Sequence, residues 1–351
     1  MVLPRIFNLI TIALFIATLV TSVTSEDPKR YIVVLEPLSS IASSSESHYE
    51  WLSNELTKFS INSLSSFNAK IKTFSTDGSF RGYTAWFPEN LMKEVKSRPE
   101  VKYIEADSPV SIKYAVPREV QNKPNPNLDR CPDTDDNGHG SHVAAIVGGK
   151  TFGVAKKANL IGLKVLDSTG AGSNADVILG MQFVLEDRKK RNKNNTIVNM
   201  SLGGVFSQAV NDAAKSLTDA GVHVVAAAGN EATDACLSSP ASEQSVVTVG
   251  ATNNLDDGIA FFSNFGECLD IFAPGSDILS VGITSDTDIA VFSGTSQASP
   301  HVAGNLALLI SKNGNKSPVD LTKDLIGLST KNVVKGLNPD TANNFLRVPA
   351  P

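Results

Sequence analysis

The chain has 351 residues, of which 41% are hydrophobic and 19% charged, and its net charge is -5. That balance excludes a disordered chain and a membrane-embedded bundle, and so mild a charge offers no basic stripe for nucleic acid. At this length two folded units of unequal size are expected.

In chain order, Arg5 precedes an apolar run over residues 6–20, followed by small residues with Val23 and Ser25 placed as a cleavage pair. The run is short for a membrane span and no second stretch of spanning length follows. Residues 1–25 therefore read as a signal peptide that sends the product to the secretory pathway, extracellular or vacuolar, with no membrane span after its removal; a signal anchor is the alternative. That route permits disulfides, and of the three cysteines, Cys131, Cys236 and Cys268, one must be left over.

Residues 31–35 are a short β-rich run, and residues 48–59 carry Tyr49, Leu52, Leu56 and Phe59 on one helical side. Residues 80–87 alternate around Gly82, residues 91–96 read as helix and residues 101–105 as strand. The order predicts a small α+β, ferredoxin-like domain over residues 31–112. Residues 113–132 are polar, carry Pro117, Pro124, Pro126 and Pro132, and read as a linker.

Over residues 133–351, β-branched runs at 159–165, 196–201, 222–228 and 245–250 alternate with helical stretches at 175–186 and 208–220. This predicts an α/β fold, a doubly wound parallel sheet with helices on both faces. The cationic run of Arg188, Lys189, Lys190, Arg191 and Lys193 reads as a solvated helix end or loop rather than a binding patch.

Three segments carry chemistry. Residues 292–301, FSGTSQASPH, lead into an apolar helix over 302–310. Ser296 there sits at a helix N-terminus, where N–H groups and the dipole favour negative charge on a tetrahedral intermediate, and Gly294 leaves room for close approach. An ordinary helix cap has the same appearance. Residues 137–142, NGHGSH, open a second apolar helix over 143–147. His139, flanked by glycines, is expected to expose its imidazole and to act as a general base near neutral pH, whereas His142 falls on the buried side as a packed histidine. No acidic or cysteine partner completes a zinc site around the two, and no metal is assigned. Residues 226–230, AAAGN, end a buried strand on Asn230, a turn residue or an amide donor to an oxyanion.

The stretches NGHGSHVA around His139, AAAGN at Asn230 and SGTSQASPHVAG around Ser296, in this order and spacing, resemble the subtilisin-type serine proteases, most like the proteinase K and cerevisin branch. The segments GVAKKANLIGLKVLD (residues 153–167), DACLSSPAS and GECLDIFAPG support that branch. The resemblance implies a secreted serine endopeptidase precursor that hydrolyses peptide bonds through an acyl-serine intermediate, with Ser296 as nucleophile, His139 as base and acid, and Asn230 as oxyanion donor. It implies a cleft lined by Ser201, Leu202, Gly203, Ala228 and Gly229, where an extended polypeptide substrate adds as a strand. It implies an inhibitory propeptide in residues 31–112, whose tail fills the cleft until it is cut somewhere over residues 112–116. A Cys236–Cys268 bridge is implied too, worth roughly 3–4 kcal/mol on chain-entropy reasoning. Cys131 has no evident partner. The chemistry requires no cofactor; the family often binds structural calcium, for which no ligand set stands out.

Two departures from the family follow. Its triad aspartate ends a buried strand roughly thirty residues before the histidine, and residues 113–138 hold no such strand. The unit at 133–351 thus reads as a catalytic domain lacking its N-terminal Asp strand. Asp129 and Asp133 are weak surrogates in a Pro-rich loop, while Asp135 and Asp136 match the polar residues before the histidine motif. Without a carboxylate the imidazole loses tautomer control, about ten-thousand-fold in turnover in related enzymes, and strands beside the gap lose backbone partners. Three readings stand: an active protease whose full product carries roughly forty more residues; a catalytically inactive subtilisin-like protein or propeptide-type protease inhibitor; and an active chain using Asp129 or Asp133. The second departure is Gln297, where the family usually has Met. It is expected to alter leaving-group-side preference more than turnover.

Overall fold

A computed structural model describes residues 28–37, 45–62, 71–76, 79–112, 134–191 and 194–349. The expected signal peptide at 1–25 and the expected linker at 113–132, with Cys131, Asp129 and Asp133, lie outside the described residues.

The N-terminal unit runs β1 (Lys29–Leu35), α1 (Ser45–Asn62), β2 (Lys72–Thr76), β3 (Phe80–Phe87), α2 (Glu89–Lys96) and β4 (Val101–Ala106). Its sheet has the order β2-β3-β1-β4 with antiparallel pairing throughout, the ferredoxin-like arrangement expected. Side chains alternate across a strand, and β1 buries both faces. Tyr31, Val33 and Leu35 pack with Leu52 and Leu56 of α1 and Leu91 and Val95 of α2. Ile32 and Val34, on the other face, join a core shared with the larger unit. That double burial is why residues 31–35 read as continuous rather than alternating hydrophobics.

The larger unit follows as β5 (Pro109–Ser111), α3 (His139–Gly148), β6 (Ala171–Ser173), α4 (Asn174–Arg191), β7 (Ile197–Met200), β8 (Gly204–Val205), α5 (Gln208–Asp219), β9 (His223–Ala227), β10 (Ser238–Ser239), β11 (Val247–Thr252), β12 (Ile271–Pro274), β13 (Ile278–Val281), β14 (Ile289–Phe292), α6 (Thr295–Asn313), α7 (Pro318–Leu328), β15 (Thr330–Lys331) and β16 (Asn344–Phe345). Its main sheet has the order β15-β16-β12-β11-β9-β7, parallel from β7 to β16 and antiparallel only at β15. Helices cover both faces. Val224 and Ala226 of β9 meet the side of α4 and α5, whereas Val225 between them meets the side of α6 and α7. Arg188 to Arg191 form the last turn of α4, where cations complement the helix dipole. Cys236 and Cys268 are bridged. Among the described residues, no helix is long and apolar enough to cross a membrane, and no group of side chains that would hold a metal ion occurs.

One expected strand is absent. Residues 159–165 form no strand, and Leu160, Ile161 and Leu163 are 47%, 54% and 39% exposed. The sheet order ends at β7, which pairs only with β9 among the described residues. A parallel strand is buried through neighbours on its edges and helices on its faces. The run at 159–165 has the side chains for that environment and, among the described residues, no strand beside it.

Candidate active site

The segment around Ser296 is built by the turn from β14 into α6. Ser296, the second residue of α6, is buried, and its Oγ donates to the Ser201 carbonyl at 3.2 Å. Ser201 answers by donating its own hydroxyl to the Ser296 carbonyl at 2.8 Å, and it lies 2.8 Å from Ser299 Oγ. Ser201 was expected to line the cleft; instead its side chain turns inward and braces the start of α6.

Asn230 follows β9 on the adjoining loop. Its Oδ1 accepts from Thr295 N at 2.8 Å and from Thr295 Oγ1 at 2.9 Å, which fixes the carboxamide with Nδ2 on the far side. A methyl-sized Cβ on Gly294 would lie 3.1 Å from Asn230 Nδ2 and 3.6 Å from Ser296 N. Glycine therefore keeps open a space bordered by both donors, the arrangement an oxyanion needs. Gln297 is buried next to Ser296; its Oε1 borders the same space, and its Nε2 has no hydrogen-bond partner among the described residues.

His139 begins α3, held by a cap that the sequence encodes locally. Asp135 Oδ1 accepts from Asn137 N and Gly138 N at 3.0 and 2.8 Å, and its Oδ2 accepts from Ser141 N at 2.7 Å. The expectation of an exposed imidazole fails: His139 is 7% exposed, because α3 packs against α6 and β13 and Ile283 adjoins Gly138. Burial pushes its pKa down to about 4, with His142 adding to the effect and Asp135 opposing it. At neutral pH the ring is thus uncharged, the form a general base starts from, though burial makes it a weaker base than a free imidazole. His142 is the packed histidine expected, stacked 4.4 Å from Phe292 with Nε2 toward the Ile278 and Ala290 carbonyls at 3.1 and 3.2 Å.

Beside these groups, β5 lies as a strand held on both edges. It pairs antiparallel with β6, and Ser111 exchanges both backbone bonds with Gly203 at 3.1 and 3.4 Å. Ile112 N donates to Gly170 O at 3.0 Å. Under this strand is a pocket of about 230 Å³ lined by Ser111, Leu202, Gly203, Ala228, Gly229, Glu231 and Ser296 among others, which gathers the predicted lining residues other than Ser201.

The sequence did not single out the residues that seat the N-terminal unit. Glu105 accepts from Ser207 Oγ at 2.7 Å and Ala209 N at 3.2 Å at the start of α5. Asp107 accepts from Ala175 N at 2.9 Å at the start of α4, and Arg30 ties Asp107 to Asp176 at 3.4 and 3.1 Å. Each carboxylate meets the positive end of a helix. Burial raises the Asp107 pKa against that attraction. Acids two apart at a strand end are the only sequence signal, and nothing local says what they will meet.

Residues 46–345 match the subtilase family. This chain belongs to the subtilase family. Among similar subtilases, proteinase T of Parengyodontium album is 51% identical over 212 residues, covering 60% of this chain and 71% of that protein. A subtilisin-like protease of Coccidioides posadasii is 35% identical over 403 aligned positions, covering 91% of this chain and 80% of its own. Those positions outnumber the 351 residues here, so that relative carries residues with no counterpart in this chain. The crystal structure of a cold adapted subtilisin-like serine proteinase superposes with a TM-score of 0.58 at 40% identity, covering 62% of this chain and 77% of that one. As a subtilase the chain is by family a serine endopeptidase, with polypeptides as substrates.

Proposed function

We propose that this subtilase is a secreted precursor whose N-terminal unit, residues 31–112, inhibits the endopeptidase it precedes until the chain is cut over residues 112–116. The observation that carries this reading is the strand at residues 109–112, held between residues 170–173 and Gly203 over the pocket that Ser296 lines. An incoming peptide would use the same two edges, so chain and substrate compete for one place. Ser296 Oγ attacks the carbonyl carbon, and His139 takes the hydroxyl proton and returns it to the leaving amine. Asn230 Nδ2 and the Ser296 N–H receive the oxyanion, and water later releases the acyl group by the same route. These groups carry every proton and bond change, so the chemistry calls for no cofactor. Residues 1–25 give the secretory address, extracellular or vacuolar.

The test is expression of the full chain beside Ser296→Ala. The wild type is expected to shorten to a new N-terminus over residues 113–117 and to hydrolyse casein, while Ser296→Ala stays full length and inert. Casein hydrolysis that survives Ser296→Ala refutes the reading.

A second reading, a proteolytically silent subtilase that keeps its inhibitor unit, has its own support. Asp135, the acid whose charge bears on His139, gives both oxygens to backbone N–H groups at and just before the start of α3, and the Coccidioides posadasii relative carries residues this chain lacks. The active product is then a longer chain, visible by sequencing the expressed transcript. Covalent labelling of Ser296 by a fluorophosphonate in the 351-residue chain would overturn silence. If labelling occurs, an Asp129→Asn, Asp133→Asn double change that abolishes it identifies the surrogate acid.

A further inference from the structure

Residues 228–233 form the pocket wall and carry Asn230, yet they have no helix or strand of their own to hold them. A single side chain does much of the holding. Asn264, fully buried between β11 and β12, donates from Nδ2 to Ala228 O at 2.9 Å and to Glu231 Oε2 at 3.0 Å. Its Oδ1 accepts from Glu231 N at 3.0 Å and Thr233 N at 3.1 Å, and its backbone N–H donates to Gly229 O at 3.0 Å. Gly229 has φ +108° and is the one residue type that lets this amide in, since a Cβ there would lie 2.3 Å from Asn264 Nδ2.

Four of the six wall residues are thus tied to Asn264, while Asn230 faces the other way and is clamped through its carboxamide by Thr295. Only an amide fits the inner side. It supplies two donors and two acceptor directions in one plane, and here all are used. A carboxylate of the same shape would keep the bonds from Glu231 N and Thr233 N but turn lone pairs toward the Ala228 carbonyl and the Glu231 carboxylate.

We propose that Asn264 is the positioning residue for the oxyanion donor and the pocket wall, acting through the backbone of residues 228–233 without touching substrate. The proposal rests on the protease reading of the site and extends it to what fixes the geometry of Asn230.

The experiment is Asn264→Asp in the full chain, measured by amide hydrogen exchange and by hydrolysis of chromogenic peptides. Loss of the buried donor is expected to speed exchange over residues 228–233 about tenfold while residues 139–148 keep wild-type protection. The kcat is expected to fall about 10- to 100-fold with a smaller change in KM, because the oxyanion forms only in the transition state. Adding Glu231→Gln restores a donor toward the new carboxylate and is expected to recover much of the exchange protection, which no merely global weakening of the fold would do. Exchange unchanged over residues 228–233, exchange raised equally throughout the chain, or no recovery with Glu231→Gln overturns the proposal. Should Asn264→Asp not fold, Asn264→Ser, which keeps one donor, carries the same exchange criterion. If the unaltered chain proves inactive while the exchange pattern holds, the protease reading fails and the positioning of the wall stands, so the two failures are distinct.

Discussion

Replacing Ile161 by alanine tests whether the edge of the sheet is open in solution. Ile161 is 54% exposed in residues that form no strand. Full burial of an isoleucine side chain contributes about 1.5–3 kcal/mol, so a side chain with about half its surface in water loses at most about 1.5 kcal/mol on truncation, with no enclosed cavity to add to it. Ile178 on α4, 1% exposed, is the internal control and is expected to cost about 2–5 kcal/mol as Ile178→Ala. Both changes are made in a Ser296→Ala background, which keeps the chain from digesting itself, and unfolding by urea is followed by far-ultraviolet circular dichroism. Ile161→Ala costing as much as Ile178→Ala would show residues 159–165 packed in solution and refute the open edge. In a longer product that carries the extra residues of the relatives, the cost at Ile161 is expected to rise into the range of the control, which measures directly whether those residues complete the sheet.

Asn230→Ala is expected to lower kcat by about 10²–10³-fold, read on peptide substrates, and to cost about 1–3 kcal/mol of stability because it strands the two buried Thr295 donors. Replacing Cys236 and Cys268 together by serine is expected to cost about 3–4 kcal/mol, since the bridge spans a sequence separation of 32; an unchanged unfolding midpoint would contradict this. Burial raises the Asp270 pKa to about 6, so its contribution is fully present below about pH 4 and is lost as pH rises through 6. Asp270→Asn, which can still accept from Thr248 N, is expected to gain about 2–3 kcal/mol over wild type at pH 8 and nothing at pH 4, read from unfolding at the two pH values. Glu105→Ala removes the acceptor at the start of α5 and is expected to weaken seating of the N-terminal unit by about 0.5–2 kcal/mol, seen as faster appearance of peptide hydrolysis.

Much of the candidate site was legible because its parts are local. Ser296, His139 and Asn230 each stand where a helix begins or a strand ends, and glycines beside them mark where backbone or ligand must come close. The seating of the N-terminal unit was not legible in the same way. Glu105 and Asp107 read as ordinary surface acids until α4 and α5 are brought against them. Asn264 gave no signal, because its partners are 31 to 36 residues away in sequence and appear beside it only after folding. The direction of the Ser201 side chain was not legible, because a residue in such a stretch points its side chain either way, and the inward choice depends on Ser296 and Ser299.

By itself the sequence determined the alternation that makes an α/β fold and marked Ser296, His139 and Asn230 as the candidates for nucleophile, base and amide, since periodicity, capping and short motifs are properties of neighbours along the chain. Tertiary structure alone decided that residues 109–112 pair with residues 170–173 and Gly203, that His139 is buried and held neutral, and that residues 159–165 pair with no strand among the described residues. Those outcomes depend on which surfaces meet across long separations, and an apolar run becomes a buried strand only when another strand lies beside it.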